Sequence, residues 1–283
     1  MNKIWNRLLL FFLLLSTSST LLHSYALPTY TPQQYNLMKP LSEPFPTNIN
    51  MLKNKKIVKT IIMNAMNYSI SHPNDIKNYF NILIYSFIFW DLSSKGSERE
   101  LASKIGLQFA NRAIKLEPNN PLIQYMRYVF EDLNSVSYRE INGATKVLKI
   151  ISKYKKMTKE GNGCIFAGGP YRNLARTYYK ISSTLPLYSK RSIDMIIKAL
   201  KCKNKFSMNY LILGDIYLLN GQPKNAEKIF NQIKLIKPQS YMEKLYQEAD
   251  YWTAQKELKL YKSGKWNIRT DWVYDRGGWW QKK

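Results

Sequence analysis

The chain has 283 residues, 45% hydrophobic and 14% aromatic, enough to bury a substantial core as one large domain or two small ones. Its 43 basic and 19 acidic residues give a formal net charge of +24; that surplus suits an anionic partner, or reflects a compositional bias, since the lysines are scattered and form no block. Two cysteines cannot make a four-Cys zinc site, and with His23 inside an N-terminal segment that reads as a signal peptide, His72 alone cannot supply a multi-His metal centre, so no metal or cofactor is expected.

Residues 1–26 have the pattern of a secretory signal peptide. Lys3 and Arg7 precede the apolar run Leu8–Leu15, and Ser24-Tyr25-Ala26 supplies small residues for cleavage. The run is shorter than the roughly 20 residues that a bilayer span needs, and no Cys closely follows it to carry a lipid. Cleavage after Ala26 predicts a periplasmic or secreted protein of charge +22 with no membrane span. Residues 27–50, with Pro28, Pro32, Pro40, Pro44 and Pro46, read as an extended arm.

A single helical domain is expected over 51–262. Apolar spacing predicts a helix over 51–71 and a second over 75–91, whose run from Tyr79 to Trp90 is apolar on nearly every side and so buried on most of them. A third helix covers 98–116. A weaker pair follows at 121–133 and 137–154, with Ala144 and Val147 as seam positions. Residues 155–163 are basic, polar and flanked by glycine, and read as a loop.

Gly168-Gly169-Pro170 opens a helix carrying Tyr171, Leu174, Ala175 and Tyr178, and a partner helix at 189–203 carries Ser192, Ile196 and Ala199. Residues 210–238 contain two amphipathic runs around Asn220-Gly221-Gln222-Pro223, a helix stop followed by a helix start. Here Tyr210, Leu213, Gly214, Tyr217, Ala226, Phe230, Ile233 and Pro238 fall at every signature position of a tetratricopeptide repeat (TPR), which this stretch resembles. Ser192, Ile196 and Ala199 precede Ala226, Phe230 and Ile233 by one TPR period, with an insertion around Pro186. The expected fold is all-α: antiparallel hairpins stacked as an irregular TPR-like α-solenoid, with an extra N-terminal helix pair and a capping helix at 241–262. Residues 263–283, with Trp266, Trp272, Trp279 and Trp280, form a basic tail that either binds a ligand or covers an exposed helix end.

The stretch from Gly168 also resembles the periplasmic TPR proteins associated with TRAP-type (tripartite ATP-independent) transporters, the TatT-like family. In that family a Gly-Gly-Pro-x-Arg-x-Leu-Gly pattern opens a helix. Gly168, Gly169, Pro170, Arg172 and Leu174 match it, whereas Ala175 replaces the last Gly and no lipid-site Cys is present. The resemblance implies an adaptor that binds the solute-binding subunit of such a transporter.

Arg172, Tyr171, Tyr178 and Tyr179 are the candidate contacts for a partner or ligand: arginine grips carboxylates bidentately and tyrosines give rigid contact area. Tyr171 and Tyr178 equally suit core packing, and Arg172 an internal acid. Cys164 and Cys202 lie at the neighbouring ends of one hairpin, placed either for a disulfide or as two buried thiols. His72 sits in a turn beside Pro73 and is the only imidazole of the mature chain, so enzymatic chemistry is not expected. The functions left are an adaptor for another protein, which could also be a second copy of this chain, and a carrier of a small apolar or carboxylate ligand in an aromatic-lined cleft. Nucleic acid is not expected, because no binding motif accompanies the charge.

Overall fold

The structure, a computed structural model, describes residues 52–93, 96–137, 144–203, 205–239 and 241–267. The expected signal peptide and proline-rich arm and the last three tryptophans lie outside them. All regular structure among the described residues is helical. In chain order the helices are α1 Lys55–Ser71, α2 Ile76–Leu92, α3 Ser97–Leu116, α4 Pro121–Ser137, α5 Ala144–Lys159, α6 Ile165–Ser182, α7 Tyr188–Cys202, α8 Ser207–Leu219, α9 Pro223–Leu235 and α10 Tyr241–Lys262. No described helix is long and apolar enough to cross a membrane.

Side-chain caps fix several of the starts. The Asn54 carboxamide oxygen accepts from the Lys56 and Ile57 amides, and the Asp75 carboxylate from those of Lys77 and Asn78, which satisfies donors that have no partner inside the helix. Asn120 does the same for α4, accepting from Leu122 and Ile123 just before the first-turn Pro121 is passed. Gly221, at φ 69°, ends the turn that Pro223 then converts into α9.

Sequential neighbours pack against one another from α1 to α4 and from α6 to α10; between these runs α4 and α5 both lie on α6, and α10 also reaches back to α8. Helix α2 buries residues on all its sides, from Tyr79 through Trp90, which accounts for its nearly uniform apolarity. Two hairpins share one crossing. A Cβ on Gly214 of α8 would overlap the Phe230 ring of α9, and a Cβ on Gly106 of α3 would overlap the Phe130 ring of α4. Each missing side chain lets a fully buried phenylalanine sit against helix backbone, a burial of roughly 2–3 kcal/mol. The start and end of the described region meet: Lys53 pairs with Glu248 of α10 at 2.7 Å, and the rings of Phe87 and Tyr246 lie 6.1 Å apart.

The expected loop at 155–163 is corrected. Helix α5 begins at Ala144 and continues to Lys159, because Ile150, Ile151, Tyr154 and Met157 keep one buried face. Its closing lysines suit the negative end of the helix dipole, and Gly161 in the left-handed conformation stops it.

Candidate functional site

The long right-handed part of helix α6 opens after Gly168, at the expected Gly-Gly-Pro, but a turn that the sequence did not announce precedes it. Phe166, Ala167 and Gly168 have φ values of 49°, 56° and 80°, a left-handed turn that costs about 1–2 kcal/mol for each residue bearing a Cβ. Such strain persists only where surroundings impose it. Here Arg172 donates through Nη1 to the Ala167 carbonyl at 3.0 Å and to Asn209 Oδ1 at 3.1 Å, and through Nη2 to the Phe166 carbonyl at 3.2 Å. Asn209 Nδ2 donates to the same Ala167 oxygen and to Ala199 O. A Cβ at Gly168 would lie 2.6 Å from Ala199 Cα, and one at Gly169 would overlap the Tyr125 ring, so both positions need glycine. A disulfide between Cys164 and Cys202, with Cα atoms 5.1 Å apart, ties the start of α6 to the end of α7.

Arg172 is therefore 2% exposed and committed internally, its guanidinium also 4.7 Å above the Phe206 ring. Tyr179 is buried in the core with Ala175 and Ile196. A second polar cluster joins α4, α5 and α6: Lys153 pairs with Asp132, which accepts from Tyr154 Oη at 2.8 Å, while Asn173 Nδ2 lies 3.4 Å from Tyr125 Oη. Burial lifts the Asp132 carboxyl above the usual carboxylate range despite Lys153, and pushes the Tyr125 and Tyr154 hydroxyls up as well. Both clusters hold helices together.

The remaining candidates, Tyr171 and Tyr178, lie on α6 beneath a cationic face to which α5 and α7 contribute. They stand two turns apart along α6. Tyr178 is buried against Tyr188 of α7, ring centroids 5.7 Å apart, and half-buried Tyr171 has the Lys198 ammonium 5.8 Å from its ring. The Arg191 guanidinium stands 5.1 Å over Tyr188. On the α5 side lie Lys155 and Lys159. Burial lowers the Lys155 pKa, and the positive charges of Arg191 and Lys159 lower it further. Burial pushes Tyr178 up to about 12, although Arg191 pulls it down. None of Lys155, Lys159, Arg191 and Lys198 forms an ion pair with a described residue.

This face thus combines half-buried Tyr171 with four cations that form no ion pair with a described residue, a surface that attracts anions despite exposed Asp194 between Arg191 and Lys198. Among the described residues no three His, Cys, Asp or Glu side chains gather as metal ligands. Sequence reasoning singled out the tyrosines and missed all four cations. Arg191 and Lys198, seven residues apart on one predicted helix, were a readable signal; Lys155 and Lys159 were hidden by the loop expected there. Comparison with family models, curated proteins and solved structures found no match.

Proposed function

We propose that the mature chain is an exported helical-repeat adaptor that binds another protein on the face formed by α5, α6 and α7. The observation that carries this reading is the cationic face itself, where Arg191 and Lys198 stand over or beside Tyr188 and Tyr171 and form no ion pair with a described residue. Such cations repel one another, and a bound acidic surface relieves that repulsion. The Gly–Phe crossings shared by α3/α4 and α8/α9 support a repeat-built scaffold, in keeping with the TPR signature around Gly214. The pattern from Gly168 to Leu174 makes the solute-binding subunit of a TRAP-type transporter the first partner to test. Native mass spectrometry of protein purified gently from its source compartment checks the reading. An adaptor gives a protein–protein complex that dissociates to a bare chain, whereas a small molecule retained on the monomer favours the carrier and overturns the proposal.

A further inference from the structure

We propose that the cationic face of α5 and α7 receives an extended acidic segment of the partner, with carboxylates three residues apart seated at Arg191 and Lys198. This rests on the adaptor reading and specifies the chemistry of its partner. Arg191 and Lys198 are separated by two turns of α7, about 10 Å along its axis. Tyr178 and Tyr171 are separated by the same two turns on α6, which runs antiparallel, as the closeness of Gly168 to Ala199 requires. The result is two cation–tyrosine stations. Arg191 stands over Tyr188, which packs on Tyr178, and Lys198 stands beside Tyr171.

A chain in the polyproline II conformation repeats every three residues at about 3.1 Å per residue, so acidic side chains at positions i and i+3 project to one side about 9 Å apart. That spacing matches the stations, and one small anion can occupy only one of them. Lys155 and Lys159 add positive charge from the α5 side. Arg191 offers a carboxylate two parallel N–H groups and fixes its orientation, while Lys198 acts as a point charge. Half-buried Tyr171, beside Lys198, gives the segment one rigid aromatic contact, while buried Tyr178 and Tyr188 hold the Arg191 end of α7 in place. One acid opposes the arrangement: exposed Asp194 lies on α7 between Arg191 and Lys198 and forms no ion pair with a described residue.

Fluorescence anisotropy on the full mature chain tests this with a labelled proline-rich peptide carrying Glu at positions i and i+3. The comparators are the same peptide with Gln at both positions, inorganic phosphate, and vesicles containing anionic phospholipid. The i, i+3 peptide should bind at least about tenfold more tightly than its Gln counterpart. Arg191→Glu and Lys198→Glu should each cost about tenfold or more, and Asp194→Asn should tighten binding. Lys224→Glu, an equal charge change on α9, should leave it unaltered. Urea midpoints for every variant confirm that the fold is intact. Equal binding of the Glu and Gln peptides, or indifference to both charge reversals, overturns the acidic-segment proposal. So does binding of phosphate or vesicles that depends on Arg191 and Lys198 when the peptide does not bind. A protein complex that persists in native mass spectrometry through any of these failures leaves the adaptor reading standing, so the two fail separately.

Discussion

Replacing Arg172 with Met keeps most of the side-chain volume and removes the guanidinium. Three charge-assisted hydrogen bonds go with it, at 3.0, 3.1 and 3.2 Å. Net values for hydrogen bonds to charged groups start near 1.5 kcal/mol, so three amount to roughly 4–5 kcal/mol. The cation lying 4.7 Å over Phe206 adds about 1 kcal/mol. Ala167 O retains Asn209 Nδ2 at 3.2 Å, which reduces the loss. The expected destabilisation is about 3–5 kcal/mol, a large part of the 5–15 kcal/mol typical of a domain. Equilibrium urea unfolding measures it: the midpoint should fall sharply with little change in slope. Arg172→Lys should be intermediate, since one ammonium cannot serve two carbonyls and Asn209 with the same fork. A loss below about 1 kcal/mol for Arg172→Met would refute the view that this residue imposes the left-handed turn.

Three further outcomes are expected. Replacing both Cys164 and Cys202 by Ala opens a loop of sequence separation 38, for which chain entropy sets a stabilisation of about 4 kcal/mol; thermal melting should show a drop that added reductant reproduces in the parent chain and not in the variant. Gly214→Ala must displace the Phe230 ring and should cost about 1–3 kcal/mol, while Gly221→Ala, strained at φ 69° but facing open space, should cost about 1 kcal/mol; urea unfolding ranks the pair, and the reverse order would contradict the crossing. Tyr125, Tyr154, Tyr171, Tyr178, Tyr188 and Tyr210 all ionise less readily when folded. Their contribution is complete below the unfolded value near 10 and is lost as pH rises towards their folded values, about 12 for Tyr178. Lys155, lowered by burial and by Arg191 and Lys159, opposes this as a single group, gaining stability as pH rises towards 10.5. Urea midpoints should therefore fall from about pH 9 to about pH 11, with tyrosinate absorbance rising late and together with unfolding; a gradual absorbance change centred on 10 with no loss of structure would contradict it.

Local chemistry made many helix boundaries legible. Asp75 and Pro223 each mark a start by a mechanism confined to one turn, and the close crossing at Gly214 and Phe230 follows a recognisable spacing, whereas the first helix, expected from 51, begins only at Lys55 after its cap Asn54. The left-handed turn at Phe166–Gly168 was not legible. Neither Phe nor Ala favours positive φ, and the conformation is imposed by Arg172 and by Asn209, which arrives from the next hairpin. The end of α5 was misread because lysines and flanking glycines outweighed a buried periodicity that Met157 continues. The cationic face was half legible. Tyr171 and Tyr178 could be placed on one helix face from spacing alone, but bringing Lys155 within the field of Arg191 requires both α5 and α7 to lie against α6, a tertiary fact.

Site-specific photo-crosslinking in the source cells tests the partner-binding claim most directly. A photoreactive side chain at Asp194, exposed on α7 between Arg191 and Lys198, is compared with one at Met63, exposed on α1. Binding through the α5–α7 face predicts a discrete protein adduct from position 194, lost when Arg191→Glu is added, and none from position 63. Adducts from position 63 alone, or none from 194 at native expression levels, would contradict it.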